Sequence, residues 1–355
     1  MRYASSALFF LALSTACCSA DSFSDAEGPV LDDLPEAQLA QIKAYNAKVR
    51  EDVGRGIALA SVAWKKPELT VAFFEGSKDL HEIIESTAEE WTAALPVKAI
   101  RFSFRNADGT FRTWSPSDSK ASADIRIGFS GARGYWSQIG LINTLVPAGS
   151  PTMYFDNFHK LLESQTLAQL RAGWPSSYLK SVVLHEFGHA LGFAHEQFHA
   201  DCQKDFQWDP DPGYVELLVQ VPGDSKPAPA PGCDQRIRPR RSATNPDAFD
   251  SPGVFLFFRY YPNCWSEEKT AFQFSRTFYL EKTAKTAKRI EGVLMAPPDE
   301  TPKADRHSIM LYDLPDFLFK SRGTSACYTG QNKPTTYATT LSDEDKAMIR
   351  RMYHK

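Results

Sequence analysis

The sequence predicts an α+β domain built around one sheet, and three observations lead there. A strand, a helix and several further strands follow one another in the first half. One long helix then carries the chain's most distinctive residues. A last amphipathic helix closes it. Leu69–Phe74 (LTVAFF) follows Lys65-Lys66-Pro67 and reads as the first strand. Asp79–Leu95 places Leu80, Ile83, Ile84, Ala88 and Trp91 at helical spacing, which makes Trp91 a core residue. Ile100–Phe104 and Ala123–Phe129 alternate as strands, and Asn106-Ala107-Asp108-Gly109 between them is a turn signal. Leu141–Val146 and Thr152–Phe155 read as two more short strands. Ser177–Phe193 is the strongest helix, with Pro175, Ser176 and Ser177 as start signals and Gly192 as its stop. Ser342–Tyr353 opens on an N-cap serine and three acids and places Ala347, Ile349 and Met352 inward.

The 355 residues suffice for one large domain with a sizeable insertion, and 43% hydrophobic with 23% charged residues excludes a wholly disordered chain. The net charge of −3 leaves no basic excess for nucleic acid; the short run Arg236–Arg241 reads as a solvated loop. Arg2, the apolar run Ala7–Leu13 and the small residues of Cys18-Ser19-Ala20 read as a secretory signal peptide at 1–20. Residues 21–58 follow as an N-terminal extension or propeptide, and 59–355 form the main domain. No segment reaches the roughly 20 apolar residues of a membrane span, so a secreted, extracellular, monomeric protein without a membrane partner is expected. Cys202, Cys233, Cys264 and Cys327 remain after the signal and read as two disulfides. Loop length favours Cys202–Cys233 with Cys264–Cys327. From about 202 to 302 the chain reads as an irregular insertion. Val221–Cys233 is a proline-rich exposed loop there, and the aromatics of Phe255–Tyr261 and Ala271–Tyr279 are read as core.

The chemistry concentrates in His185-Glu186-Phe187-Gly188-His189-Ala190-Leu191-Gly192-Phe193-Ala194-His195. Helix residues four apart share a face, so His185 and His189 can aim nitrogens at one ion. Gly192 allows a sharp exit at positive φ, and that exit returns His195 as a third ligand. Three histidines leave the fourth position open for water, which distinguishes a catalytic zinc site from a structural one. Glu186, beside the first ligand and off the metal, is placed as the general base that takes the water proton. One Zn2+ per chain follows. His199 fits no ligand spacing and is read as a surface residue, as are His81, His159 and His354.

This segment resembles the metzincin clan of zinc peptidases, whose signature is H-E-x-x-H-x-x-G-x-x-H. Within the clan it is most similar to the astacin-like branch. Glu196 follows the third histidine, and Asp305-Arg306-His307-Ser308-Ile309-Met310-Leu311-Tyr312 looks like that branch's Met-turn. The resemblance implies a metzincin catalytic domain: a twisted, mainly parallel five-stranded sheet with an antiparallel edge strand, an active-site helix and a C-terminal helix. It implies Met310 as an apolar floor beneath the zinc, and Tyr312 as a switchable zinc ligand that stabilises the oxyanion. Gly134-Tyr135-Trp136-Ser137 and Thr152-Met153-Tyr154 look like strands of such a domain, whose edge strand pairs with extended substrate. Leu311 stands where astacins usually carry histidine, His307 where they carry glycine, and the distance from His195 to Met310 is long for the branch.

The resulting expectation is a secreted zinc metalloendopeptidase acting on a protein or peptide substrate. Its competitor is a non-catalytic binding protein that keeps the fold, and the presence of Glu186 favours the enzyme. Asp313–Thr329 is expected to shape the pocket after the scissile bond, with Lys320 and Arg322 as candidate contacts for an acidic residue.

Overall fold

The computed structural model describes Pro35 and residues 62–353 except 94, 97–98, 131–133, 222–232, 244, 247, 276–277, 283–286, 292–302 and 331–337. The expected signal peptide, the extension at 21–58, His354 and most of the proline-rich loop lie outside the described residues.

Nine strands and eight α-helices are described. In chain order the first are β1 (Glu68–Phe73), α1 (Lys78–Ala93), β2 (Arg101–Ser103), β3 (Ile125–Gly128), β4 (Tyr135–Ser137) and β5 (Met153–Phe155). Next come α2 (Leu161–Ser164), α3 (Leu167–Gly173), α4 (Tyr178–Leu191), α5 (Ala200–Asp205), β6 (Leu218–Gln220) and β7 (Gln235–Ile237). The last are α6 (Gly253–Arg259), α7 (Glu267–Phe274), β8 (Phe278–Lys282), β9 (Ala287–Glu291) and α8 (Asp343–Tyr353). The first five strands make one sheet in the order β2-β1-β3-β5-β4. Pairing is parallel except for the edge strand β4, which runs antiparallel to β5 with Trp136 opposite Tyr154. All four residues of β3 are buried, as a central parallel strand covered on both faces requires.

The main core joins this sheet to α1, α4 and α8 through Leu69, Val71, Ile84, Trp91, Ile127, Phe187 and Ile349. Trp91 is fully buried and donates its indole N–H to the Leu184 carbonyl, pinning α1 to α4. A second core gathers Phe206, Phe258, Trp265, Phe274, Tyr312, Phe317 and Phe319 around the Cys202–Cys327 disulfide. Of the aromatic runs expected as core, Phe258, Tyr261, Phe272 and Phe274 are buried and Phe255, Phe257 and Tyr260 are half-buried; the side chains of Phe278 and Tyr279 lie outside the described residues.

Several expectations change. Leu141–Val146 is a 3-10 helix over Gly140–Leu145, not a strand. Asn143 donates to the carbonyls of Gly140 and Gln138, and Thr144 to Leu141, so local side-chain bonds win over a ladder. The 202–302 insertion is less irregular than predicted. Among its described residues are three short helices and two antiparallel strand pairs, and its α7 begins with the Ser266 hydroxyl capping Lys269 N–H. The disulfides join Cys202 to Cys327 and Cys233 to Cys264, the opposite of the loop-length expectation. Cys202 and Cys327 meet inside the second core, so packing brings them together across 125 residues. His81 and His199 are buried rather than on the surface. His81 stacks on Phe73 at 3.9 Å, and His199 Nδ1 accepts the Asp201 N–H to cap α5.

Candidate metal centre

Helix α4 presents the first two histidines. Its N-cap is Ser177, whose hydroxyl accepts the Lys180 N–H, and its exit is Gly192 at φ 104. A side chain at that φ would be strained, and the turn directs Phe193–His195 back toward the helix. The Gly192 and Phe193 N–H groups donate to the carbonyls of His189 and Gly188, and the last two carbonyls are taken up from outside: Trp64 Nε1 donates to Ala190 and the Tyr353 hydroxyl to Leu191. Gly188 serves a different purpose. A Cβ there would lie 2.4 Å from Met310 Sδ and 2.9 Å from Trp91, so only glycine lets Met310 come this close under the helix.

His185, His189 and His195 offer ligand nitrogens that all lie within 4.8 Å of one another. They are the one group among the described residues that could hold a metal ion. His189 Nε2 stands 3.1 Å from His185 Nε2 and 3.0 Å from His195 Nε2. The other nitrogen of each helical histidine faces a carbonyl, His185 Nδ1 to Ile309 and His189 Nδ1 to Phe193, both at 2.8 Å. A carbonyl has no proton to give, so each Nδ1 is the N–H and donates. In the neutral rings both Nε2 atoms then carry lone pairs that face each other at 3.1 Å, a contact that repels without a cation. Burial, and then the neighbouring histidines, push His189 and His195 well below the ordinary imidazole pKa, which favours the ligating neutral form. Nitrogens at tetrahedral positions around zinc, about 2.0–2.1 Å from it, stand about 3.3 Å apart, so this donor set fits such an ion.

Around the cluster, Glu186 is 2% exposed and Tyr312 is 5% exposed. The Tyr312 ring lies 4.4 Å from that of His195 and 5.7 Å from that of His185. Met310 is buried, as the floor expected from the resemblance would be. The Met310 carbonyl accepts the Glu196 N–H at 3.0 Å, and Glu196 Oε1 accepts the Asp305 N–H at 2.8 Å. Burial pushes the Glu196 carboxyl up to about 8. The sequence reasoning missed Asp345. Its carboxylate accepts the Ser308 hydroxyl at 2.7 Å and the N–H groups of Ile309 and Ser342 at 3.0 Å each. It also missed Gln197, two residues after the third histidine, and Gln203, which donates to the Gln197 carbonyl; both are buried. The only local signal for any of them was the Ser342-x-x-Asp345 cap spacing.

Arg322 pairs with Asp211 and donates to the Phe317 carbonyl, and Lys320 donates to Lys204 O. The Arg322 charge is paired with a carboxylate, whereas Lys320 stays exposed with a bond to a backbone carbonyl. No described helix is long and apolar enough to cross a membrane.

No family model matches the sequence, and no curated protein matches it. Among solved structures the chain is similar to two of myroilysin. One has 19% identity, covers 84% of this chain and 98% of that chain, and has a TM-score of 0.47. The other has 20% identity, covers 84% and 88%, and has a TM-score of 0.41. Likeness at this level carries nothing about chemistry, so the geometry of the cluster has to carry it alone.

Proposed function

We propose that this protein is a secreted, zinc-dependent metalloendopeptidase of the metzincin type, closest in its site to the astacin-like branch. The observation that carries the reading is the convergence of three imidazole Nε2 atoms, with two of the rings oriented through Nδ1 by backbone carbonyls. His185, His189 and His195 would hold the ion. Bound zinc would supply Lewis acidity and lower the pKa of coordinated water toward about 7.

The chain's own residues do the rest. Glu186 accepts the proton of the attacking water on its carboxylate and returns it to the leaving amine. The Tyr312 hydroxyl donates a hydrogen bond to the oxyanion that develops on the scissile carbonyl. The edge strand β4 offers its outer backbone groups to an extended peptide, which suits a protein or peptide substrate. The two disulfides are compatible with an exported chain. Residues 1–20 would be its signal and 59–355 its catalytic domain.

The test is cleavage of a peptide library by purified protein, with and without a chelator, followed by zinc re-addition. Chelator-sensitive internal cleavage that zinc restores is expected. A metal-loaded, folded protein that cleaves no peptide would leave the non-catalytic reading standing.

A further inference from the structure

The insertion reaches the residues after His195 through two buried amides, of which Gln203 makes the shorter bonds; Gln197 Nε2 itself donates to the Gln273 carbonyl at 3.5 Å. Gln203 of α5 is 8% exposed, and its Nε2 donates to the Gln197 carbonyl and to the Phe274 carbonyl, both at 2.7 Å. Gln197 lies two residues after His195, whereas Phe274 is the last residue of α7 in the insertion. Both segments contact Tyr312. Its ring lies 4.4 Å from that of His195 and 5.8 Å from that of the fully buried Phe274. Phe274 is itself held by Phe258, Phe206 and Trp265. A longer contact, Tyr312 N–H to Gln197 Oε1 at 3.4 Å, ties the tyrosine backbone to the Gln197 segment. The two amide hydrogens of Gln203 thus join the two segments that pack against Tyr312.

We infer that Gln203 is a positioning residue for Tyr312, and that through it the insertion sets the tyrosine's place over the histidine cluster. The inference rests on the proposed role of Tyr312 in the zinc site. A methionine at 203 keeps the length of the side chain and removes both donors. Of these hydrogen bonds the two segments then keep only the longer one, Gln197 Nε2 to the Gln273 carbonyl at 3.5 Å, and the ring loses its fixed distance from His195.

The experiment is a double-mutant cycle between Gln203→Met and Tyr312→Phe, read in two ways. The first reading is kcat and KM on a peptide substrate. Gln203→Met lowers kcat about tenfold with KM little changed, within the range for outer residues of metal sites. In the Tyr312→Phe background the same change has less than about a twofold effect, because the group it positions is gone. The second reading is the optical spectrum of cobalt-substituted protein. It shifts on Gln203→Met when Tyr312 is present and not when it is phenylalanine. Losses that multiply independently in the double variant, or an unchanged kcat and spectrum, would overturn the inference and leave Gln203 a purely structural clamp. Should Gln203→Met melt below the assay temperature, Phe274→Leu loosens the packing of that segment on Tyr312 and carries the same expectations. If the wild type cleaves nothing, the peptidase reading fails, while the cobalt spectra still decide the role of Gln203.

Discussion

The Asp345 carboxylate accepts the Ile309 N–H at 3.0 Å, and the Ile309 carbonyl on the following peptide accepts His185 Nδ1–H at 2.8 Å. The last helix is thereby linked to the first histidine through one residue of the turn beneath it. Second partners of this kind fix the tautomer and the ring plane of a metal ligand. Burial raises the Asp345 pKa, and its hydrogen bonds from Ile309, Ser308 and Ser342 oppose that shift.

Asp345→Asn should therefore do two things. It weakens a carboxylate that accepts several hydrogen bonds, which lowers stability by about 2 kcal/mol. It also loosens His185, which weakens zinc about tenfold in a chelator competition. Equal stability loss with unaltered zinc affinity would confine Asp345 to scaffolding.

Metal analysis should give about one zinc per chain, because one three-nitrogen site implies one ion. His189→Ala should lose it, since His189 Nε2 is the nitrogen within 3.1 Å of both others. Zinc retained at full stoichiometry in that variant would move the site elsewhere.

What could be read in the sequence is what local rules write. The offsets from His185 to His195, the Ser177 cap and the Gly192 stop all act within a few residues, and each is found in place. The strand–helix–strand order predicted the sheet for a similar reason. The partners of the site are non-local. Ile309 is 124 residues from His185, and Phe274 is 71 from Gln203. Nothing in the periodicity of either segment announces the contact. The insertion was misjudged because short helices rich in phenylalanine carry no clear 3.6-residue period. The disulfides were misjudged because loop length says little once a core has brought distant cysteines together.

Glu186→Gln should keep zinc and lose most turnover, by about 10²–10⁴-fold, since the side chain is asked to move a proton and not to hold the ion. Zinc analysis and kcat on one preparation separate the two roles. Loss of zinc in step with activity would make Glu186 part of the binding set.

His81 gives the fold a sign-definite pH dependence. Burial lowers its pKa below the ordinary 6.5, while its hydrogen bond to the Glu75 carbonyl opposes this in part. The unfolded chain then binds the proton more readily than the folded one. Its contribution to stability is intact above about pH 6.5 and is lost as pH falls below that value, by at most about 1.4 kcal/mol per pH unit. His81→Phe retains the stack on Phe73 and removes the titration, so its urea midpoint should fall less than that of the wild type between pH 7 and 5. Parallel midpoints in the two proteins would assign the acid sensitivity to other groups, the metal-site histidines first among them.

Tyr312→Phe separates a tyrosine that takes part in the reaction from one that packs. The ring is 5% exposed and sits against His195, His185 and Phe274, so phenylalanine preserves nearly all of its contacts and stability should change little. If the hydroxyl donates to the oxyanion, its contribution appears only as the carbonyl becomes tetrahedral. The variant then loses kcat and kcat/KM together, with KM and zinc content near those of the wild type. Removal of one such donor suggests a loss of about 10²–10³-fold. If the hydroxyl instead holds zinc at rest, the cobalt-substituted spectrum changes as well. The pairing of a low kcat with an altered spectrum is what the astacin-like reading requires. A wild-type kcat would reduce Tyr312 to a wall of the site. Leu311, in place of the histidine usual in that branch, would then mark the chain as a more distant relative whose oxyanion donor lies elsewhere. The three histidines and Glu186 would keep their proposed roles in either case, because none of them depends on the phenol.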